Sequence, residues 1–284
     1  MLTRHIFDEF PESMSEITNE RKHQKRLRLE PLVYDILKAR YLKPLEDFWN
    51  TYEIPKISDK CVVLVERRIH ENLYFILRNM AYFARGWAVC IVCSDMNLNY
   101  CKEISGHNKD RITFLPIFKG SPDATTGKSE YNNLLKNPEF YNMLPSENLL
   151  FTQTDTYLRK DIPEDISTYD YVASPYVWDE SMAGGGLSFR KRSAMIDVCK
   201  RMGAIHSDED VYICRGVANL GYKMPEFMEG VTYFSESCFY EDPVGVHQWW
   251  TFFTNQIEES DLIFNAMLTL DIVPIKIESR GCCE

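Results

Sequence analysis

The sequence lacks any apolar run that approaches the roughly 20 residues needed to cross a bilayer. Its first residues also lack the apolar core of a secretory signal, so we expect a cytoplasmic protein. A net charge of -10 leaves no basic excess, which argues against a nucleic-acid backbone as the main partner. A phosphorylated small ligand stays compatible with this charge, because a metal ion can reverse the sign locally.

Paired cysteine motifs are missing as well. The nine cysteines are odd in number, scattered and mostly inside apolar segments, which is typical of reduced, buried thiols. Cys90 and Cys93 have CxxC spacing, but they lie in an apolar run and no second CxxC accompanies them. We therefore predict core packing and not a zinc site. Cys282 and Cys283 are interpreted as part of a frayed tail.

Strand-like runs and helical spacings alternate along the middle of the chain. Short apolar runs predict strands at residues 61–65, 88–93, 112–118 and 149–152, with helices predicted at 73–84 and 129–141. This alternation is typical of a parallel sheet with right-handed crossovers. Later the pattern becomes mixed, with strands predicted at 169–174, 187–190 and 231–234 and helices at 193–202 and 253–270.

The chain divides into an N-terminal arm, residues 1–58, and a body, residues 59–284. Residues 12–30 are polar and carry a basic cluster, which favours a solvated helix or mobile leader over a surface for an acidic partner. From Leu32 onward, an apolar stripe at helical spacing predicts a helix, which Pro44 should break or kink. We expect the arm to pack on the body, and it is also a candidate contact between copies of the chain.

The predicted strand at 149–152 ends in Gln153, Thr154 and Asp155. In open α/β sheets, ligands bind outside the carboxyl ends of the strands. A carboxylate there can hold a divalent cation against a phosphate. The structural alternative for Asp155 is a turn or a helix cap.

Three further groups of residues have both a functional and a structural interpretation. Gly184, Gly185 and Gly186 allow close backbone approach of a sugar, or form a tight turn. Glu209 and Asp210 can supply a general base, or open a helix capped by Ser207 or Asp208. A third group either contacts the donor nucleotide sugar at the sheet edge or lies on the protein surface without a role. It consists of Glu66, Arg67, Arg68, His70, Asn132 and Asn133.

Seven motifs in a fixed order resemble a glycosyltransferase-like domain family that occurs in fungi, bacteria and large DNA viruses. The resemblance covers about residues 60–250 and leaves out the arm. Its motifs are Val65–Leu73, Tyr131–Leu135, Gln153–Asp155, Tyr169–Pro175, Gly185–Arg190, Glu209–Val211 and Gly245–His247.

The resemblance implies a GT-A-like single α/β domain, with a mixed, mainly parallel central sheet flanked by helices, plus the helical N-terminal arm. It implies sugar transfer from a nucleotide diphosphate sugar to a hydroxyl acceptor, with Mn2+ or Mg2+ held by Asp155 and His247. For His247, a packed surface histidine beside Trp249 and Trp250 is an equal alternative. Asp210, slightly ahead of Glu209, would be the base.

This chain departs from the pattern of the resembling enzymes at two places. GT-A enzymes usually place Asp-x-Asp after the fourth strand, and here Gln153 stands where the first carboxylate would be. Asp155 would then be joined by phosphate oxygens, another side chain and waters. Ala183–Gly184 stands where the family more often has Asn-Gly, so an asparagine contact is lost.

The acceptor stays open among a glycan, a protein and a small molecule. Because Gln153 replaces one aspartate of the pair, a non-catalytic nucleotide-sugar or glycan binding protein stays an alternative. A sugar nucleotidyltransferase, which would build the sugar nucleotide, is a third. A viral family member would act in the host cytoplasm, at the site of virus assembly.

Overall fold

The computed structural model describes Glu9 and residues 13–120, 124–203, 207–254 and 260–272. Its α-helices are α1 (Asn19–Trp49), α2 (Leu73–Phe83), α3 (Leu98–Ser105), α4 (Ala124–Leu135), α5 (Pro138–Asn142), α6 (Arg192–Arg201), α7 (Glu209–Asn219), α8 (Phe227–Tyr233) and α9 (Ser260–Met267). Its strands are β1 (Lys60–Val65), β2 (Ala88–Ser94), β3 (Thr113–Phe118), β4 (Asn148–Thr152), β5 (Thr156–Leu158), β6 (Tyr171–Tyr176), β7 (Asp179–Lys191), β8 (Phe234–Ser235) and β9 (Gly245–His247).

The central sheet has six strands in the described residues, in the order β3-β2-β1-β4-β7-β6. The pairs β1–β2, β1–β4 and β2–β3 are parallel, whereas β7 runs antiparallel to both β4 and β6. A smaller sheet follows in the order β5-β9-β8. The prediction of an α/β protein with a mixed, mainly parallel central sheet and an N-terminal helix is confirmed.

Helices cover both faces of the central sheet, as the alternation along β1 shows. Val62 and Leu64 join a core with residues of α1 and α2. Cys61 and Val63 point to the other face, where α5, α6 and α7 pack. Because both faces are buried, β1 and β2 are continuous apolar runs, which is why their sequences were readable as strands.

Several predicted elements have different limits in the structure. The helix predicted at 129–141 is split, because Asn137 caps a new helix by accepting a hydrogen bond from the Glu139 amide at 3.0 Å. Residues 231–233 are helical and not a strand. The strand predicted at 187–190 begins at Asp179 and contains the glycines. Of the helix predicted at 253–270, residues 260–267 are helical, and residues 255–259 lie outside the described ranges.

The arm differs most from its prediction. α1 is one helix of 31 residues that runs through Pro31 and Pro44, so of the predicted break or kink at Pro44 the break is wrong. Burial of Leu29, Val33, Tyr34, Leu37, Leu45 and Trp49 in the core stabilises the helix enough to offset two missing backbone hydrogen bonds. From Asn19 onward the polar segment is helical and mostly exposed, as one of the two interpretations predicted, but Lys25 is fully buried and donates to the Phe253 carbonyl at 3.1 Å.

Two predictions about what the chain lacks can be compared with the described residues. No helix among them is long and apolar enough to cross a membrane. The cysteines in these ranges are all free and buried, and Cys90 and Cys93 are core residues of β2, as predicted. Cys282 and Cys283 lie outside the described residues.

Candidate active site

Asp155 and His247 meet at the edge of the central sheet. Asp155 lies in the short turn between β4 and β5, directly beyond the carboxyl end of β4. β5 pairs with β9 so that Thr156 lies opposite His247, which brings the imidazole to Asp155. The distance from His247 Nε2 to Asp155 Oδ1 is 3.4 Å. Two residues 92 positions apart in sequence, both predicted as metal ligands, are therefore neighbours.

Five side chains form a closed ring around this contact. His247 Nδ1 lies 3.3 Å from Glu236 Oε2, and Glu236 Oε1 accepts a hydrogen bond from the Gln248 amide at 2.9 Å. The guanidinium of Arg26 donates to Gln248 Oε1 and lies 3.0 Å from Asp155 Oδ2. Gln248 also donates its backbone N–H to the Asp155 carbonyl at 2.8 Å. The carboxylates and the imidazole of the ring are almost completely buried.

The charges in the ring shift one another's pKa values. Burial alone would lower the pKa of His247, but Glu236 and Asp155 raise it to about 10. Burial would raise the pKa of Asp155, but His247 and Arg26 hold it well below its usual range. Burial and the nearby Asp155 raise the pKa of Glu30, next to the ring, to about 8. Asp155 is therefore a carboxylate across the physiological pH range.

The ring contains donor atoms that suit a divalent cation. Asp155 Oδ1, Glu236 Oε2 and both His247 ring nitrogens are buried; among the described residues they form ion pairs with one another, at 3.3 and 3.4 Å, but no hydrogen bonds. Carboxylate oxygens suit both Mn2+ and Mg2+, whereas an imidazole nitrogen suits a transition metal, so this set of atoms favours Mn2+ of the two. In the described ranges, however, no three Asp, Glu, His or Cys side chains are already grouped as a metal site. These carboxylate and imidazole side chains are therefore of a type that binds metal ions, but their present spacing is not that of a formed metal site.

Glu66 organises the loop that follows β1. Its carboxylate accepts from Arg68 Nε at 2.9 Å, from Arg68 Nη2 at 2.8 Å and from Thr154 Oγ1 at 3.0 Å. Burial opposes ionisation of Glu66, but these bonds to Arg68 hold its pKa below the ordinary value. Thr154 links this loop directly to Asp155. The Arg68 side chain stays 58% exposed, so it is available to a ligand.

Two other residues of this loop have partners in the protein. Arg67 is buried, pairs with Glu130 and lies over the Phe118 ring, 4.6 Å from its centroid. His70 accepts a hydrogen bond from the Asn72 amide at 3.2 Å, and burial lowers its pKa. Arg67 is therefore a packing residue in this structure, and Arg68 is the one that reaches solvent.

The three glycines lie inside β7, at negative or extended φ, and not in a turn. A Cβ atom on Gly184 would lie 2.1 Å from Glu236 Oε2, and one on Gly186 would lie 2.3 Å from His247 Nε2. A Cβ atom on Gly185 would lie 2.3 Å from Glu209 Oε1. The predicted tight turn is therefore wrong. The protein's own acidic and imidazole side chains approach the glycines closely, and approach of a sugar stays a prediction.

Glu209 and Asp210 begin α7, as predicted, but their environments differ. Glu209 is buried and pairs with the fully buried Arg190, with 3.3 Å between Oε2 and Nη1. Burial raises the pKa of Glu209 against the opposing effect of Arg190. Asp210 is only half-buried, and its Oδ2 accepts from the Tyr176 hydroxyl at 2.5 Å.

The asparagines predicted to contact the donor have other positions. Asn132 Oδ1 accepts from the Glu209 amide at 2.7 Å, and its Nδ2 donates to Asp208 at 3.3 Å. Asp208, one of the two predicted caps, is the N-cap residue of α7, but its side chain makes no capping bond, and Asn132 accepts from the Glu209 backbone N–H instead. Asn133 is exposed on α4.

Sequence reasoning missed three members of the ring: Arg26, Glu236 and Gln248. Arg26 was assigned to a polar leader, and Glu236 followed a wrongly predicted strand. Gln248 has φ 30° and ψ 34°, a left-handed conformation that its sequence context does not signal. The available signal for Arg26 was its spacing of four residues from Lys22 and Glu30, which places all three on one helix face.

The comparisons with known proteins identify related regions but no activity. A family described as "Protein of unknown function (DUF5672)" matches residues 118–247, which include Asp155, the glycines, Asp210, Glu236 and His247. Its match leaves out α1 and β1. Among curated proteins, none matches this sequence.

Three solved structures are similar over part of their length. Mannosyltransferase PcManGT from Pyrobaculum calidifontis, in complex with GDP-Man and Mn2+, has a TM-score of 0.41 at 15% identity; the match covers 70% of this chain and 66% of that one. A putative nucleotide-diphospho-sugar transferase from Desulfovibrio desulfuricans G20 has a TM-score of 0.35 at 13% identity. That match covers 59% of this chain and 79% of that one. The glycosyltransferase GlyE of Streptococcus pneumoniae TIGR4 has a TM-score of 0.46 at 8% identity. That match covers 75% of this chain and 61% of that one. TM-scores below 0.5 do not establish a common fold.

Proposed function

We propose that this protein is a glycosyltransferase that moves a sugar from a nucleotide diphosphate sugar to a hydroxyl acceptor with the help of a divalent cation. The observation that carries the proposal is the contact between Asp155 and His247 at the carboxyl end of β4, with Glu236 as a second buried acid on the other side of the imidazole. Ligands of open α/β sheets bind at this edge. A buried carboxylate and imidazole whose facing atoms form ion pairs but no hydrogen bonds support a cation and a phosphate ligand there.

Asp155 and His247 are the residues that would hold Mn2+ or Mg2+, with Glu236 within reach of the same imidazole. The ion, when bound, supplies positive charge that stabilises the departing diphosphate. Because an imidazole ligand must be neutral, His247 has to release the proton that its two carboxylate neighbours favour. Ion binding is therefore expected to release a proton near neutral pH.

The donor nucleotide is proposed to lie over the loop after β1. Glu66 holds the Arg68 guanidinium by two hydrogen bonds and leaves part of it in solvent, where it can bind a phosphate oxygen. Thr154 donates to the same carboxylate and so holds this loop next to Asp155. The sequence prediction of a nucleotide contact at residues 66–70 thus narrows to Arg68, with Glu66 as its positioning residue.

Asp210 is the proposed base. The acceptor hydroxyl oxygen forms a bond to the anomeric carbon, the bond from that carbon to the diphosphate breaks, and the hydroxyl proton passes to the Asp210 carboxylate. Asp210 is half-buried, and the Tyr176 hydroxyl holds it by one oxygen. Tyr176 also approaches Gly184, beside Glu236, so Asp210 faces the ring side of β7. Glu209 is better suited to positioning, because Arg190 holds it in the interior.

The decisive experiment measures binding of UDP and GDP by calorimetry, with Mn2+, with Mg2+ and with a chelator. We expect metal-enhanced binding in the wild type and a loss of about tenfold or more in Asp155→Asn. Asp161→Asn makes the same charge change at an exposed aspartate that pairs with Arg85, and it should bind like the wild type.

Two outcomes would contradict the proposal. One is that neither nucleotide binds to the wild type under any of the three conditions. The other is that Asp155→Asn, with an unchanged melting temperature, keeps full metal-dependent affinity. Slow hydrolysis of the sugar nucleotide without an acceptor would then separate a transferase from a binding protein, and pyrophosphate release from a nucleoside triphosphate plus a sugar phosphate would indicate a nucleotidyltransferase.

A further inference from the structure

One face of α1 forms a wall of the candidate site. Lys22, Arg26 and Glu30 follow one another at intervals of four residues and therefore project from the same side of the helix. The ammonium of Lys22 lies 5.2 Å from the ring centroid of Trp178 and 4.7 Å from that of Phe252. Arg26 contacts Asp155, and Glu30 accepts a hydrogen bond from Asn72 at 3.1 Å.

This wall is fixed in place. Leu29, Val33 and Tyr34 are buried in the main core, and the Tyr34 hydroxyl donates to the Thr156 carbonyl, one residue beyond Asp155, at 2.9 Å. Separating α1 from the body would expose these side chains and break this bond. α1 is therefore a built-in part of the site, which argues against a removable inhibitory segment.

Arg26 has capacity for a second anion. Its side chain is 45% exposed, and its contacts with Asp155 and Gln248 both use Nη2. A guanidinium carries five N–H donors in a planar fork, so the remaining edge can bind phosphate oxygens while Nη2 stays on Asp155. Arg68 is connected to the same point, because Arg68 and Thr154, the residue before Asp155, both donate to the Glu66 carboxylate.

We propose that Arg26 is a donor-binding residue that holds the diphosphate of the nucleotide sugar beside Asp155. This inference rests on the proposed function and adds the arm, which the matched family region does not include, to the donor site. Arg26 supplies positive charge beside Asp155, the carboxylate that this chain keeps of the usual Asp-x-Asp pair. A fixed cation at this position neutralises part of the negative charge of the diphosphate, which a metal ion would otherwise have to neutralise alone.

The test compares UDP and GDP binding to wild type, Arg26→Ala and Arg26→Lys. We expect Arg26→Ala to weaken binding about tenfold or more, since a charge-assisted pair is lost. Arg26→Lys should be intermediate, because a lysine keeps the charge but not the fork. Added salt should weaken wild-type binding more than that of Arg26→Ala. Arg28→Ala, which removes the same charge from an exposed residue of the same helix that pairs with Glu9, should match the wild type.

The outcomes separate this inference from the function on which it rests. If the wild type binds nucleotide and Arg26→Ala binds equally well, with an unchanged melting temperature, Arg26 has no donor role although the function stands. Tighter binding in Arg26→Ala would mean that the guanidinium blocks Asp155, and would also overturn the inference. Absence of binding in the wild type overturns both. If Arg26→Ala is destabilised, Arg26→Lys is compared with the wild type instead. A lysine variant that binds nucleotide with wild-type affinity and wild-type salt dependence would overturn the proposal that the Arg26 guanidinium binds the diphosphate.

Discussion

At the residue scale, two neighbouring acids have different environments. Glu209 and Asp210 are adjacent in sequence, yet Glu209 is buried against Arg190 while Asp210 is half-exposed beside Tyr176. One turn of helix points successive side chains in different directions, so one acid enters the core and the other stays at the site. Sequence alone identified both acids as candidates and had no means to assign them opposite roles.

Substitution of each acid should give a different pattern of loss. Asp210→Asn is expected to reduce turnover on the order of 100-fold with little change in melting temperature, since it removes a proton acceptor. Glu209→Gln is expected to destabilise the fold by about 3 kcal/mol, because it leaves the Arg190 charge buried without a carboxylate. Stability and donor turnover should be measured on the same preparations.

The control for these two variants is Asp208→Asn. Asp208 is exposed at the start of the same helix and accepts from Lys128, so its loss should affect stability by less than about 1 kcal/mol. Full turnover in Asp210→Asn would remove Asp210 from the mechanism. An unchanged melting temperature in Glu209→Gln would show that the buried pair with Arg190 has little influence on stability.

At the element scale, β7 is the strand that joins the site together. Its glycines leave room for Glu236, Glu209 and His247, all of which would clash with any Cβ atom. A glycine-rich strand interior weakens a sheet, so the close approach must contribute enough to offset that cost. The requirement is clearest at Gly186, where the neighbour is an imidazole held between two carboxylates.

Gly186→Ala should therefore displace His247. A methyl group 2.3 Å from Nε2 forces the ring away from Asp155, and the surrounding burial leaves it little space. We expect a loss of about 1–3 kcal/mol in stability, together with loss of metal-enhanced nucleotide binding. Glu180→Ala, at an exposed position of the same strand, should change neither quantity.

A double-mutant cycle isolates this contact. In a His247→Ala background, Gly186→Ala should cost clearly less stability than it does alone, because the clash has gone. Nucleotide binding that depends on metal should stay weak in the double variant, since the predicted ligand is absent. Equal costs in both backgrounds would mean that the strain at Gly186 does not come from His247.

Elements were predictable from the sequence where one physical effect dominated. β1, β2 and β4 are buried on both faces and were recognised as apolar runs, and the α2 stripe was recognised by its spacing. α8 was missed because its short segment around Val231 is rich in β-branched and aromatic residues, and tertiary contacts override that local preference. The start of β7 was missed because glycine is a poor strand former, and only neighbouring side chains explain it.

The site was predictable in part for the same reason. Asp155 and His247 follow from strand-end positions and from the order of motifs, and the structure places them together. Arg26 and Gln248 depend on a helix that crosses the site and on a left-handed backbone conformation. The spacing of Arg26 indicates which helix face it lies on, but the position of that face beside Asp155 and the backbone conformation of Gln248 both arise from long-range packing, which no local pattern encodes.

At the scale of the whole molecule, the arm and the body were predicted as separate units, residues 1–58 and 59–284. In the structure, α1 shares one core with β1, α2 and the 3-10 helix Trp249–Thr251. Its cationic face also borders Asp155. A shared core predicts that the two parts unfold together, whereas a separate arm would detach first.

Leu37→Ala tests this coupling. Leu37 is fully buried in α1, so truncation should cost about 2–5 kcal/mol and lower the midpoint of one cooperative unfolding transition. Leu27→Ala, on the same helix but 66% exposed, should change stability by less than about 0.5 kcal/mol. Unfolding should be followed both by helical signal and by tryptophan fluorescence, because Trp49 lies in α1 and Trp249 and Trp250 lie in the body. We expect the transitions seen by the two signals to shift together. The opposite result is a second transition at lower temperature that Leu37→Ala lowers while the main transition stays in place. That result would show that the arm folds as an independent unit and would weaken its assignment to the donor site.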